Sequence, residues 1–170
     1  MKLFSKTFVV RFVSIVLVVL WMGVIFSFSA QNGTESKKTS GGLVEFVAKI
    51  INPDFENLSE KEQEDAKNAV SEFVRSAAHF FCYAVLGFLS LNALLTYKIK
   101  LKYKVIFAFA FSCVYSASDE IHQCFVPDRA FQFSDIVVDT FGAATGILML
   151  CVILVIVKKC RKEKKNDTKN

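Results

Sequence analysis

Proline is nearly absent from this chain, with 2 in 170 residues. Long stretches therefore run without a helix breaker. Histidine is almost as scarce, since His79 and His122 are the only two, and Trp21 is the single tryptophan. The 5 cysteines give no disulfide framework, because Cys82, Cys113 and Cys151 fall inside apolar runs, Cys160 in a basic tail, and Cys124 stands alone near polar residues. There is no His-Glu-x-x-His, no serine elbow and no usable cysteine–histidine spacing. These absences argue against a disulfide scaffold and against a soluble hydrolase of familiar design. Extended disorder is excluded by composition, which is 53% hydrophobic with 18 Phe and a mean hydropathy of +0.39.

The apolar residues are collected into runs too long for a globular core. Phe8 to Phe28 carries one charge, Arg11; Ala77 to Tyr97 carries His79 near its start; Ile136 to Val157 carries Asp139. At about 1.5 Å per residue each crosses a hydrocarbon layer of about 30 Å. A signal peptide is the rival reading for the first run, but its apolar stretch is too long and bulky Phe28 lies three residues before a cut at Ala30. Val105 to Ser118 is shorter, about 21 Å as a helix. Tyr103 and Lys104 extend it at one end, with the lysine stem snorkelling, and the polar residues up to Gln123 extend it at the other.

Charge supports that fourth crossing. Lys2, Lys6 and Arg11 precede the first run, Lys98, Lys100, Lys102 and Lys104 separate the second and third, and seven bases follow the last. Acids outnumber bases nine to six over residues 31–75 and five to one over 118–139. Basic flanks mark the cytoplasmic face. The expectation is an all-α integral membrane protein with four transmembrane helices at about 8–30, 77–97, 103–123 and 136–157, both termini cytoplasmic. Residues 1–157 then form one domain and 158–170 a basic cytoplasmic tail. That tail is a membrane stop signal and not a nucleic-acid interface.

Between the first two spans, Asn32 to Gly42 is polar and contains three glycines, which reads as a flexible loop. Leu43, Phe46, Val47 and Ile50 recur at helical spacing and imply a short interfacial helix ended by Pro53. Ser59 with Glu62 is a capping box for a helix whose apolar face continues through Ala66, Val70 and Phe73 into the second span. Between the last two spans, Pro127, Asp128 and Arg129 favour a turn, and segment 124–133 is expected to dip back or cap a pocket.

This topology gathers the polar residues at one rim. Arg75, His79 and Tyr83 share a helix face, as do Asp119, His122 and Gln123, and again Asp135, Asp139, Gly142 and Gly146. Gly142 and Gly146 make a G-x-x-x-G packing motif. Charges in lipid must face inward, so Arg75 and Arg129 are expected to pair with some of Asp119, Glu120, Asp135 and Asp139. Four carboxylates against two guanidiniums leave a surplus. Protonation, a protonated histidine, a cation or water must meet it. A purely structural network is the plain alternative to a polar pocket open to the outer leaflet.

The stretches Trp21 with Phe28–Gln31, Arg75–His79 with Tyr83, Ser118–Arg129, and Ser134–Asp135 through Asp139, Gly142 and Gly146 resemble the VanZ-like family. The resemblance implies a small bacterial membrane protein, the namesake of the family conferring low-level teicoplanin resistance. It also implies site positions at Gln31, Arg75, His79, Asp119, Glu120, Gln123, Arg129, Asp135 and Asp139. Ala30 stands where a second serine is common, Ser76 where lysine often follows the arginine, and Asp128 where glycine usually precedes Arg129.

Two functions compete. The pocket binds or shields a lipid headgroup, a lipid-linked cell-wall precursor or an amphiphilic glycopeptide, with Arg75 and Arg129 as anchors. Alternatively the protein is an enzyme modifying such a molecule, with His79, Asp119, Glu120, His122, Asp135 and Asp139 as candidate acid–base groups. The absence of a catalytic spacing favours binding. Two histidines with four acids also have the chemistry of zinc ligands, yet their i, i+3 and i+4 spacings are ordinary, so no metal or other cofactor is assigned. The cytoplasmic halves of the spans contain no acidic relay, which disfavours an ion path.

Overall fold

A computed structural model describes residues 6–167, all helix and turn. The helices are α1 (Lys6–Ser29), α2 (Gly33–Ile51), α3 (Glu60–Leu95), α4 (Leu101–Gln123) and α5 (Phe133–Asp167), with a single 3-10 turn at Phe55–Asn57. Three of them, α1, α3 and α5, contain stretches long and apolar enough to cross a membrane. Their outward surfaces are apolar: Phe12, Leu20, Phe81 and Leu148 are all exposed. Side chains of this kind in such numbers belong in lipid. The chain is a multi-pass, all-α membrane protein. α4, about 34 Å long, carries Lys102, Lys104, Asp119 and Glu120 at its ends and has no stretch as long and apolar as those three.

α3 is the hub and touches every other helix. Ser59 starts it as expected, with its hydroxyl accepting from the Glu62 amide while the Glu62 carboxylate accepts from the Ser59 amide. It then runs 36 residues without a break, about 54 Å. Its most extensive partner is α5. Three glycines make that contact close: a Cβ on Gly142 would be driven into the Phe80 carbonyl, one on Gly146 into the Ala84 carbonyl, and one on Gly87 into Ala143. The backbones touch because nothing stands between them.

Several expectations need correction. Asn32 to Gly42 is not a flexible loop but the first half of α2, a 19-residue helix. Asn32 Oδ1 accepts from the Glu35 amide at 2.8 Å, and Glu35 Oε2 accepts from the Asn32 amide at 3.3 Å. This second capping box outweighs the glycines. α2 buries Val44 and Ala48 against Phe55, Val70 and Val74, while Leu43, Phe46 and Ile50 stay exposed. The basic tail is helical through Asp167 as a continuation of α5.

At the end of the bundle holding Arg11 and Lys104, the cations serve the C-terminus of α3. Arg11 Nη2 donates to the Thr96 carbonyl at 3.2 Å and its guanidinium lies 4.1 Å over the Tyr97 ring. Lys104 Nζ donates to the Leu95 carbonyl at 3.2 Å. Instead of snorkelling, Lys104 is buried. Both cations meet the carbonyls that a helix end leaves unpaired.

Candidate functional site

At the opposite end, α1, α3, α4 and α5 bring their polar residues together. Asp119, Glu120, Asp135 and Asp139 are all buried, Glu120 and Asp139 completely. The Gly142 and Gly146 contacts set α5 against α3 so that Asp139 faces His79. His79 Nδ1 lies 3.2 Å from Asp139 Oδ1, and Ser116 Oγ donates to Asp139 Oδ2 at 2.7 Å. One turn earlier on α3, Arg75 Nη2 donates to Gln132 Oε1 at 2.6 Å and lies 3.4 Å from Asp135 Oδ2. The Gln132 amide donates to Glu120 Oε2 at 3.0 Å. Ser29 Oγ, ending α1, donates to Asp119 Oδ2 at 2.6 Å. Asp119 Oδ1 and Glu120 Oε1 have no hydrogen-bond partner, a costly state for buried oxygens.

Beside this network is a cavity of about 250 Å³ whose wall includes Ser29, Gln31, Arg75, His79, Tyr83 and Arg129. α2 closes it with Ser36, Thr39 and Leu43. A second cavity of about 340 Å³ is lined by Arg75, Arg129, Asn68, Asp128 and Gln132 among others. Both guanidiniums therefore border both cavities. Arg129 does not form the expected carboxylate pair; its Nε donates to the Gln31 carbonyl at 3.3 Å. Burial, then the like charge of Arg75, pull Arg129 below the ordinary guanidinium range. Of these two cations, Arg75 is paired with Asp135, whereas Arg129 has no carboxylate partner among the described residues.

Residues 12–155 match the VanZ/LLP1 family. The chain belongs to that family. No curated protein and no solved structure shows a match to it. The VanZ/LLP1 assignment gives meaning to one departure from the usual pattern. Asp128 has φ 60, the sole non-glycine residue with positive φ among those described. Glycine suits that left-handed conformation, and aspartate is one of the few side chains that tolerate it.

Of the residues singled out in the sequence, Gln31, Arg75, His79 and Arg129 line the first cavity, and Asp119, Glu120, Asp135 and Asp139 lie in the hydrogen-bonded network around it. Gln123 is buried with its Nε2 unpartnered and is not part of the cavity wall. His122 is also outside that wall, its ring stacked on Phe26 with centroids 4.5 Å apart. Sequence reasoning missed Ser116 and Gln132. Ser116 lies three residues before Asp119 on the same helix face and so had a periodic signal, whereas Gln132 precedes α5 in the non-helical connection and had none. The grouping of His79, Glu120 and Asp135 had none, because each comes from a different helix.

Proposed function

We propose that this VanZ/LLP1 protein crosses the membrane four times, with both termini cytoplasmic, as a single domain over residues 1–157. Its polar rim binds or shields an anionic headgroup at the outer leaflet. The occupant is a surface lipid, a lipid-linked cell-wall precursor or an amphiphilic glycopeptide, and the outcome is low-level protection of the teicoplanin type. Segment 124–133 caps the site. The observation that carries the reading is the convergence of Arg75 and Arg129 on the same two cavities. A phosphate or carboxylate placed between them accepts charge-assisted bonds from both, while Gln31 and Ser29 on the same wall fix its orientation.

The test compares cells carrying the native chain or Arg129→Ala, with accumulation checked, for glycopeptide susceptibility and surface-lipid composition. Arg129→Ala is expected to lose most of the protection while accumulating normally. A variant indistinguishable from the native chain overturns the reading.

A second reading, an enzyme acting on the same class of molecule, is favoured by one observation. His79 lines the cavity and is oriented by Asp139, which is itself held by Ser116, the arrangement of a general base with its orienting carboxylate. Asp139→Asn separates the two. Its side-chain oxygen still accepts from His79 while its amide donates to Ser116 Oγ instead, so a binder retains protection, whereas an enzyme loses turnover of a labelled lipid-linked precursor by orders of magnitude.

A further inference from the structure

We propose that His79, Glu120 and Asp135 form a zinc site. One ligand atom from each lies within 4.8 Å of the other two. A tetrahedral zinc ion with bonds of about 2.0–2.2 Å holds its donors about 3.3–3.6 Å apart. Small side-chain rotations close that difference. The residues come from α3, α4 and α5, so the site assembles only when the bundle does.

Three further observations point to a cation. Glu120 is completely buried, yet its Oε1 has no hydrogen-bond donor, and the ion-paired Asp135 Oδ2 also lacks one. Oxygens in that state are ready ligands. His79 is held through Nδ1 by Asp139, which leaves Nε2 as its free nitrogen. A carboxylate behind the imidazole fixes the tautomer and raises its basicity as a ligand. Finally, among the described residues Arg75 and Arg129 are the permanent cations near the four buried carboxylates, and only Arg75 is ion-paired with one of them. A divalent ion balances that surplus, with His79 neutral.

The ligand set of one imidazole and two carboxylates suits zinc better than magnesium or calcium, which take oxygen donors. Three protein ligands leave the ion one further position, which a water molecule or an anionic ligand oxygen fills. The proposal does not rest on the headgroup reading, and metal content is measured with no such ligand present.

The experiment uses the full chain purified in detergent without chelator, loaded with zinc and dialysed. Zinc content is read by mass spectrometry, affinity by competition with a chromophoric chelator, and folding by thermal melts. The native chain is expected to retain about one zinc per chain and to lose melting temperature in EDTA. Glu120→Gln keeps the acceptor for the Gln132 amide and should weaken zinc at least 100-fold while abolishing the EDTA effect. Asp139→Asn, acting through His79, should weaken zinc by about 10–100-fold. Glu45→Gln, on the α2 surface, should match the native chain. A folded native chain that retains no zinc, or one whose zinc affinity is unchanged by both Glu120→Gln and His79→Gln, overturns the site.

Discussion

At one end of the bundle Arg11 and Lys104 turn toward the C-terminus of α3 and donate to the Thr96 and Leu95 carbonyls. At the other end, four carboxylates crowd around His79 and Arg75, and Asp119 and Glu120 each keep an oxygen without a donor. The first arrangement is explained by helix geometry alone, because exposed carbonyls at a helix end attract cations. The second exceeds what packing needs. A fold that merely had to be stable would place fewer acids together or give each one a partner. The contrast is why the proposed site is placed at the acidic rim, while the cations of the basic end are accounted for by capping alone.

Three expected outcomes sharpen that contrast. The largest effect belongs to Asp139→Ala, which strips His79 and Ser116 of their shared acceptor inside the bundle. Leaving two buried donors without their acceptor costs about 1–3 kcal/mol each, so the variant should show a strongly lowered denaturation midpoint in detergent. Lys104→Met at the opposite end removes one capping donor and keeps the buried stem. It should cost about 1 kcal/mol and leave protection and zinc content unchanged; a functional defect would erase the distinction between the two ends. The smallest effect is at the start of α3. The Ser59 hydroxyl and amide hold the Glu62 carboxyl below its ordinary value of 4.5. A depressed folded value means the stabilisation is complete above the ordinary value and fades as pH falls through the folded one. Protection of the amides in the first turn of α3, corrected for the intrinsic exchange rate at each pH, should therefore fall in acid below the ordinary carboxylate range.

Much of this architecture was readable beforehand, and the reasons lie in particular residues. Apolar runs announced α1, α3 and α5, the Ser59–Glu62 box fixed where α3 starts, and Gly142 with Gly146 announced the close contact with it. α2 was misread in its first half because Gly33, Gly41 and Gly42 drew attention from Asn32 and Glu35, whose reciprocal bonds start the helix. Helix periodicity placed Arg75, His79 and Tyr83 on one face correctly. It carried no information about which residues of separate helices meet. For that reason Arg129 was assigned to a carboxylate when it reaches the Gln31 carbonyl, and the stacking of His122 on Phe26 was not foreseen.

The unbroken course of α3 has a mechanical consequence. Val70 and Val74 hold α2, and the next residue, Arg75, borders the cavities. No hinge, proline or glycine lies between the part of the rod gripped by α2 and the part bearing Arg75 and His79. Tilting α2 therefore swings both side chains as a lever does. A spectroscopic label on the exposed face of α2 should therefore report on occupancy of the cavity that α2 lines.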